Sequence, residues 1–393
     1  MVLDLRIGFA VTRMDGRKKV LILIRQLDLG GAEAQTFELS RGLAGTFQVV
    51  VCTLRSGGIF YDQLKKEGIP VAVIQKRCRY DLTLIPRLVK LIRMENPDIL
   101  HCVMWTANIW GGLAWLFSKK PKLILSSRSI GIWKSRAHLL IGTIIFNRAD
   151  LVLANSLEVR DYMVAYEHVR PDLIRIVHNG VNLERFSGAS SGEISEGLRK
   201  ELGIGSSAFV VGTVANLTPQ KDYPTLLAAA QIVAAKKPEV VFLIVGDGIL
   251  RSEIEREVAS RDLASRFRFT GQRRDVERLL ACMNVFVLSS KREGFSNALL
   301  EAMASGLPTI ATRVGGNISA TIEGTTGYLF DGGDAAELAR LIVHLVDNAR
   351  ISREMGVAAK ARVIDGFGMG PFLSNMAEVY MNVLAAGPRS RLI

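Results

Sequence analysis

Short apolar runs rich in β-branched residues alternate with longer helical stretches along nearly the whole chain, and this rhythm limits the folds open to it. KVLILI (19–24), FQVVVCTL (47–54), VAVI (71–74), DILHCV (98–103), KLILSS (122–127), LVLANS (151–156) and IRIVHN (174–179) form a first series. A Gly/Ser-rich polar stretch, SGASSGEISEG (187–197), interrupts it. A second series follows: FVVGTVA, VVFLIVGDG (240–248), FRFTG (267–271), NVFVLSS (284–290) and TIATRV (309–314). Strands that are apolar throughout rather than alternating are buried on both faces, as in a parallel sheet built from βαβ units. Two doubly wound α/β domains follow, in keeping with 393 residues at roughly 150 per domain. Their expected bounds are 17–186 and 209–370, with a linker and domain entry at 187–208. Residues 1–16 read as an extension, and 371–393 carry a last helix (371–384) expected to return to the first domain. Open α/β sheets bind ligands beyond the carboxyl ends of their strands, so two of them are expected to share a cleft.

Cys52, Cys78, Cys102 and Cys282 have neither CxxC spacing nor a nearby His cluster, which points away from a disulfide framework or a zinc site and towards the cytoplasm. The N-terminal apolar run is broken by charges and is too short for a signal-peptide core. Ile99 to Ser118 is free of Lys, Arg, Asp and Glu, enough for a bilayer crossing of about 20 residues. However, His101, Thr106, Asn108, Gly111 and Gly112 would be costly in lipid, and a buried strand followed by a small-residue helix explains the run without a membrane.

The net charge of +12 divides unevenly: residues 1–190 hold 27 Lys and Arg against 16 Asp and Glu, whereas 191–393 hold 23 against 22. Without an interleaved aromatic-basic motif, a finger or an RNA-recognition signature, nucleic acid is a poor partner for this charge. An anionic membrane surface or a phosphorylated acceptor suits it better, so the chain is expected to lie peripherally on the inner leaflet.

The densest cluster of candidate chemistry is KREGFSNALLEAMASGLPTIATRVGG, 291–316. Glu293 and Glu301 bracket seven residues. Gly294 makes a turn, Ser296 is placed to cap a helix running through Ala304, and Gly306 and Pro308 close it. Amides at the helix start, near Asn297 and Ala298, can hold a diphosphate, and carboxylates can accept from sugar hydroxyls. Taken alone, the same residues also describe an ordinary capped helix with a solvated Glu.

The whole stretch resembles the E-x7-E signature of the retaining glycosyltransferases of family 4, whose GT-B fold has two facing Rossmann-like domains. The resemblance implies that Glu301 binds the ribose hydroxyls of a nucleotide sugar and that Glu293 contacts the transferred sugar. Phe295, Ser296, Asn297 and Ala298 lie on the donor side. LGGAE (29–33) resembles the family's glycine loop, with Gly30 and Gly31 letting donor phosphates approach the backbone. VHNGVN (177–182) resembles the segment that enters the linker, with Asn182 where Asp is usual. VGDGILR and FTGQRRDVERLL resemble its later donor loops, placing Gly246 and Arg273 there.

Two departures stand out. Where the family has an Arg and, five residues on, a Lys for the diphosphate, this chain has Asn216 and Lys221; Lys221 is carried over, while Asn216 can donate without charge or simply cap a strand end. In the first domain His101 remains from the family's histidines, as an acid/base candidate or as a structural His in a buried strand. Arg128 occupies the region of the next, as a cation for departing phosphate or an anionic acceptor, or as surface charge. The resemblance implies transfer, with retention, from a nucleotide sugar, UDP-linked by expectation, to a lipid-linked or saccharide acceptor. No separate cofactor and no metal are expected, because Lys221 and helix-start amides serve the diphosphate and no DxD run is present. A nucleotide-sugar epimerase, a phosphorylase or a non-catalytic nucleotide-sugar-binding partner of the same fold is the alternative.

Overall fold

A computed structural model describes residues 16–78, 81–130, 135–187 and 192–387 of the chain. Most of the expected N-terminal extension, and Arg79 and Trp133 among the basic and aromatic residues of the first half, lie outside the described residues. The chain divides into two compact units, 1–179 with 370–393 and 180–369.

The first unit holds a seven-stranded parallel sheet of β1 (Lys19–Ile24), β2 (Gln48–Thr53), β3 (Val71–Val73), β4 (Ile99–Val103), β5 (Lys122–Ser127), β6 (Leu151–Ala154) and β7 (Ile174–Ile176). Its spatial order is β3-β2-β1-β4-β5-β6-β7. The second holds β8 (Phe209–Val214), β9 (Val240–Val245), β10 (Phe267–Gly271), β11 (Val285–Leu288), β12 (Thr309–Thr312) and β13 (Gly327–Phe330), ordered β10-β9-β8-β11-β12-β13. All the strand pairs are parallel. In both sheets the first strand lies beside the fourth, and the winding direction reverses there. This is the Rossmann order, in which the loops leaving the two switch-point strands diverge and open a crevice.

The unbroken apolar strands are buried on both faces, as β1 and β9 illustrate at every position. Edge strand β13 escapes the sequence reading because its four residues sit among turn-forming Gly, Thr and Asp, too few to show a period. The Gly/Ser-rich stretch does not mark the division. Helix Gly192–Glu201 runs through most of it, and Val181, Phe186, Leu198 and Ile204 are buried in the core of the second unit. Val181 also bridges Gly368 near that unit's other end.

The charge-free run from Ile99 becomes β4 and helix Met104–Leu116. Gly111 and Gly112 let this helix pack closely: a Cβ on either would strike Cys102 or Ile145 within 2.5 Å. Among the described residues no helix is long and apolar enough to cross a membrane. The last helix, Met369–Ala385, packs on the first sheet through Tyr380, whose ring meets Phe47 edge-on.

Candidate functional site

In the second unit the loops after β8 and β11, the switch-point strands, bring Lys221 against Glu293 as an ion pair, although 72 residues separate them. Ser289 Oγ donates to Lys221 O at 2.9 Å, and Lys291 N–H to Gln220 O at 2.8 Å, so the two loops are joined through their backbones. Buried Glu293 also accepts from Ser290 Oγ at 2.6 Å through the same Oε1. Its Oε2 makes no hydrogen bond among the described residues. Behind it, Gly315 adopts φ +52°, and a Cβ there would lie 1.9 Å from Glu293 O. The glycine pair after β12 therefore lets the chain press against the turn that presents Glu293.

Ser296 caps helix Asn297–Ala304, its Oγ accepting from Leu299 N–H at 3.3 Å. Glu301 lies half-buried in that helix, and its carboxyl has no hydrogen-bonding partner among the described residues. Burial raises it to about 7, with Arg185 pulling it down and Glu277 pushing it up. Those two form an ion pair at 2.9 Å. Sequence reasoning missed both Arg185 and Ser290. Ser290 directly precedes the motif, but no sequence signal brings Arg185 beside it.

The remaining expected residues of this unit fare differently. Phe295 is core, packed on Phe367 with ring centroids 5.4 Å apart, so it supports the turn from behind. Gly246 has φ +136°, and a Cβ there would lie 2.0 Å from Ala215 O, which makes it a packing glycine between the loops after β8 and β9. Arg273 is bound at 2.8 Å by each oxygen of Asp275 and reaches Glu201 at 3.4 Å. Its guanidinium is thus committed within the protein, contrary to the reading of it as a donor ligand. Asn216 is exposed, and its side chain makes no hydrogen bond among the described residues, so it caps nothing.

In the first unit Gly30 is extended at φ −176° and precedes helix Gly31–Leu43, at the carboxyl end of switch-point strand β1. His101 is not placed for acid/base work. It is 0% exposed, with Nδ1 2.7 Å from the Tyr380 hydroxyl and Nε2 2.7 Å from Ser126 Oγ. Burial, assisted by Arg128, drives its imidazole down to about 3 and keeps it neutral. A ring with both nitrogens occupied inside the core holds structure and cannot reach a substrate. Arg128, at the end of β5, donates from Nη1 to Asn179 Oδ1 at 2.7 Å.

Two Rossmann-ordered parallel-sheet domains in one chain, the second with an acid and a cation joined at its switch point, make up the architecture of the GT-B class. The comparisons agree. Residues 29–185 match the family model Glycosyltransferase Family 4, and 208–348 match Glycosyl transferases group 1. The chain belongs to glycosyltransferase family 4. It is 31% identical over 313 residues to D-inositol 3-phosphate glycosyltransferase of Streptomyces scabiei, covering 73% of this chain and 68% of that protein. It is 25% identical over 316 residues to the UDP-Gal:alpha-D-GlcNAc-diphosphoundecaprenol alpha-1,3-galactosyltransferase of Escherichia coli, covering 77% and 80%. The structure of Anabaena HepE in complex with UDP-glucose superposes with a TM-score of 0.84 at 24% identity, over 93% of this chain and 99% of that one.

Proposed function

We propose that this glycosyltransferase moves a sugar from a UDP-linked donor to a lipid-linked or saccharide acceptor with retention at the anomeric carbon. The observation that carries the reading is the second unit's paired but incomplete site: Lys221 holds Glu293 by one oxygen, while Glu293 Oε2 and the whole Glu301 carboxyl make no hydrogen bond among the described residues. A capped helix opens between the two acids. In the proposed arrangement Glu301 accepts from the ribose hydroxyls, and Glu293 Oε2 accepts from a hydroxyl of the transferred sugar. Lys221 and the first amides of helix Asn297–Ala304 oppose the charge that builds on the leaving diphosphate, usually the largest contribution to such catalysis. These groups serve the diphosphate without a metal. Retention is the expectation carried by the resemblance to retaining enzymes, and in this reading the acceptor attacks the face from which the diphosphate departs. The E. coli relative, named for a UDP-Gal donor and a diphosphoundecaprenol-linked acceptor, supports the donor and acceptor classes.

The first unit suits an acceptor held at an anionic bilayer. Leu82, Ile85, Val89 and Phe117 line a groove of about 710 Å³ with Lys90 and Arg93 and no acidic side chain, and Leu82 and Phe117 are largely exposed. Apolar side chains ringed by cations fit the interface of an anionic membrane.

The test is incubation of the purified chain with radiolabelled UDP-sugars, with and without a lipid-linked acceptor extract. Label should enter the lipid fraction only with both present. Release of an altered nucleotide sugar without acceptor would favour the epimerase, and UDP binding with no turnover on any acceptor would favour a non-catalytic partner.

A further inference from the structure

Arg128 follows β5 directly, where that strand lies between β4 and β6 at their carboxyl ends. Asn179 Oδ1 accepts from its Nη1, but Nε is buried with no hydrogen-bonding partner among the described residues. Nη2 makes no hydrogen bond among the described residues, and no described carboxylate pairs with the guanidinium. Burial draws it down to about 10. Its neighbours offer no negative charge: His101 is neutral, and burial raises the Tyr380 hydroxyl so that it stays protonated. Asn155, 2% exposed, donates from Nδ2 to Arg128 O at 3.4 Å, while its own buried Oδ1 has no hydrogen-bonding partner among the described residues.

A desolvated cation without a counter-ion and a buried amide oxygen without a donor are both costly, and among the described residues they occur here side by side. The open Nε–Nη2 edge of a guanidinium matches two oxygens of a phosphate. We infer that this corner of the first unit is a phosphate-binding site, in which Arg128 takes the oxyanion by its Nε–Nη2 edge and Asn155 Oδ1 accepts from a hydroxyl of the same ligand. Binding stands on these residues alone. Whether the phosphate arrives with the nucleotide or with the acceptor rests on the transfer reading above.

The first experiment titrates inorganic phosphate, against chloride at equal ionic strength, into the full chain carrying Lys221→Ala, which removes the second unit's phosphate cation. Thermal unfolding and calorimetry read the affinity. Phosphate should still bind and raise the unfolding temperature. Adding Arg128→Met should weaken that affinity at least tenfold, and so should adding Asn179→Asp, which gives the guanidinium a carboxylate of its own without emptying the site. The Asn179→Asp chain should unfold no earlier than its parent in chloride, so loss of binding there cannot be misfolding. Unchanged phosphate affinity in both variants, or no phosphate binding once Lys221 is removed, would overturn the inference. A second arm titrates UDP into otherwise wild-type Arg128→Met. Weakened UDP binding assigns the phosphate to the donor, whereas unchanged UDP binding with a raised acceptor KM assigns it to the acceptor. If no sugar is transferred at all, the transferase reading fails while the phosphate titration still decides the site.

Discussion

Glu301 offers the sharpest quantitative test, because the fold holds its carboxyl in a form that the proposed chemistry does not use. Its ordinary value of 4.5 rises to about 7, chiefly through burial. Each pH unit is worth about 1.4 kcal/mol, so forcing the ionised form on the free protein costs at most about 3.5 kcal/mol, less whatever water at its open side recovers. The sign follows from proton uptake. Between 4.5 and about 7 the native state binds a proton that the unfolded chain has released. Stability from this group is therefore full below 4.5 and is lost as pH rises through the window. Glu301→Gln, neutral at every pH, should match the wild type in urea unfolding at pH 4.5 and exceed it by 1 to 3 kcal/mol, roughly, at pH 8. Donor affinity should behave in the opposite way. Two ribose hydrogen bonds to an ionised carboxylate are worth about 1.5 to 3 kcal/mol each, so Glu301→Ala should bind UDP-sugar far more weakly. Wild-type affinity should fall, by up to about tenfold per pH unit, as pH drops below 7. Calorimetry across pH 5 to 8 reads both variants. A Gln variant no more stable than wild type at pH 8, together with donor affinity that ignores pH and survives the Ala change, would refute the assignment.

Lys221→Ala should lower turnover by about 10²- to 10³-fold, the usual cost of removing one charge-stabilising group. Asn216→Arg should keep or tighten diphosphate binding, since its exposed side chain has no bond to lose; negligible effects of both changes in steady-state kinetics would move the phosphate site elsewhere. Activity should persist in excess EDTA, and turnover abolished by chelation and restored by magnesium or manganese would overturn a metal-free diphosphate site. His101→Ala orphans the Tyr380 and Ser126 hydroxyls and should cost about 2 to 5 kcal/mol in urea unfolding, with kcat per folded molecule changed less than threefold; a large fall in kcat without loss of stability would restore it as a catalyst. The chain should co-sediment with anionic liposomes at low salt, weakly at high salt and not with neutral lipid; staying in the supernatant with anionic vesicles at low salt would favour a soluble acceptor.

Local chemistry wrote much of this protein into its sequence. Continuous apolar runs mark twelve of the thirteen strands because a strand covered on both faces needs no polar alternation. The segment from Glu293 to Glu301 carries its own turn, cap and helix, so both acids could be placed from neighbours only a few residues away. Edge strand β13 and the division at Asn179 could not be, since a four-residue strand has no period and a boundary depends on which core each segment enters. What only the tertiary structure decided are the long-range meetings. Lys221 reaches Glu293 across 72 residues, and Tyr380 closes over His101 from 279 residues away, turning a candidate acid/base into a buried structural ring. Arg273 lost its candidacy to Asp275 and Glu201. Arg128 became a candidate site because no described carboxylate comes near enough to pair with it. Sequence specifies which groups a chain owns, but desolvation and pairing depend on everything packed around a group, and these set whether it is spent inside the protein or left for a ligand.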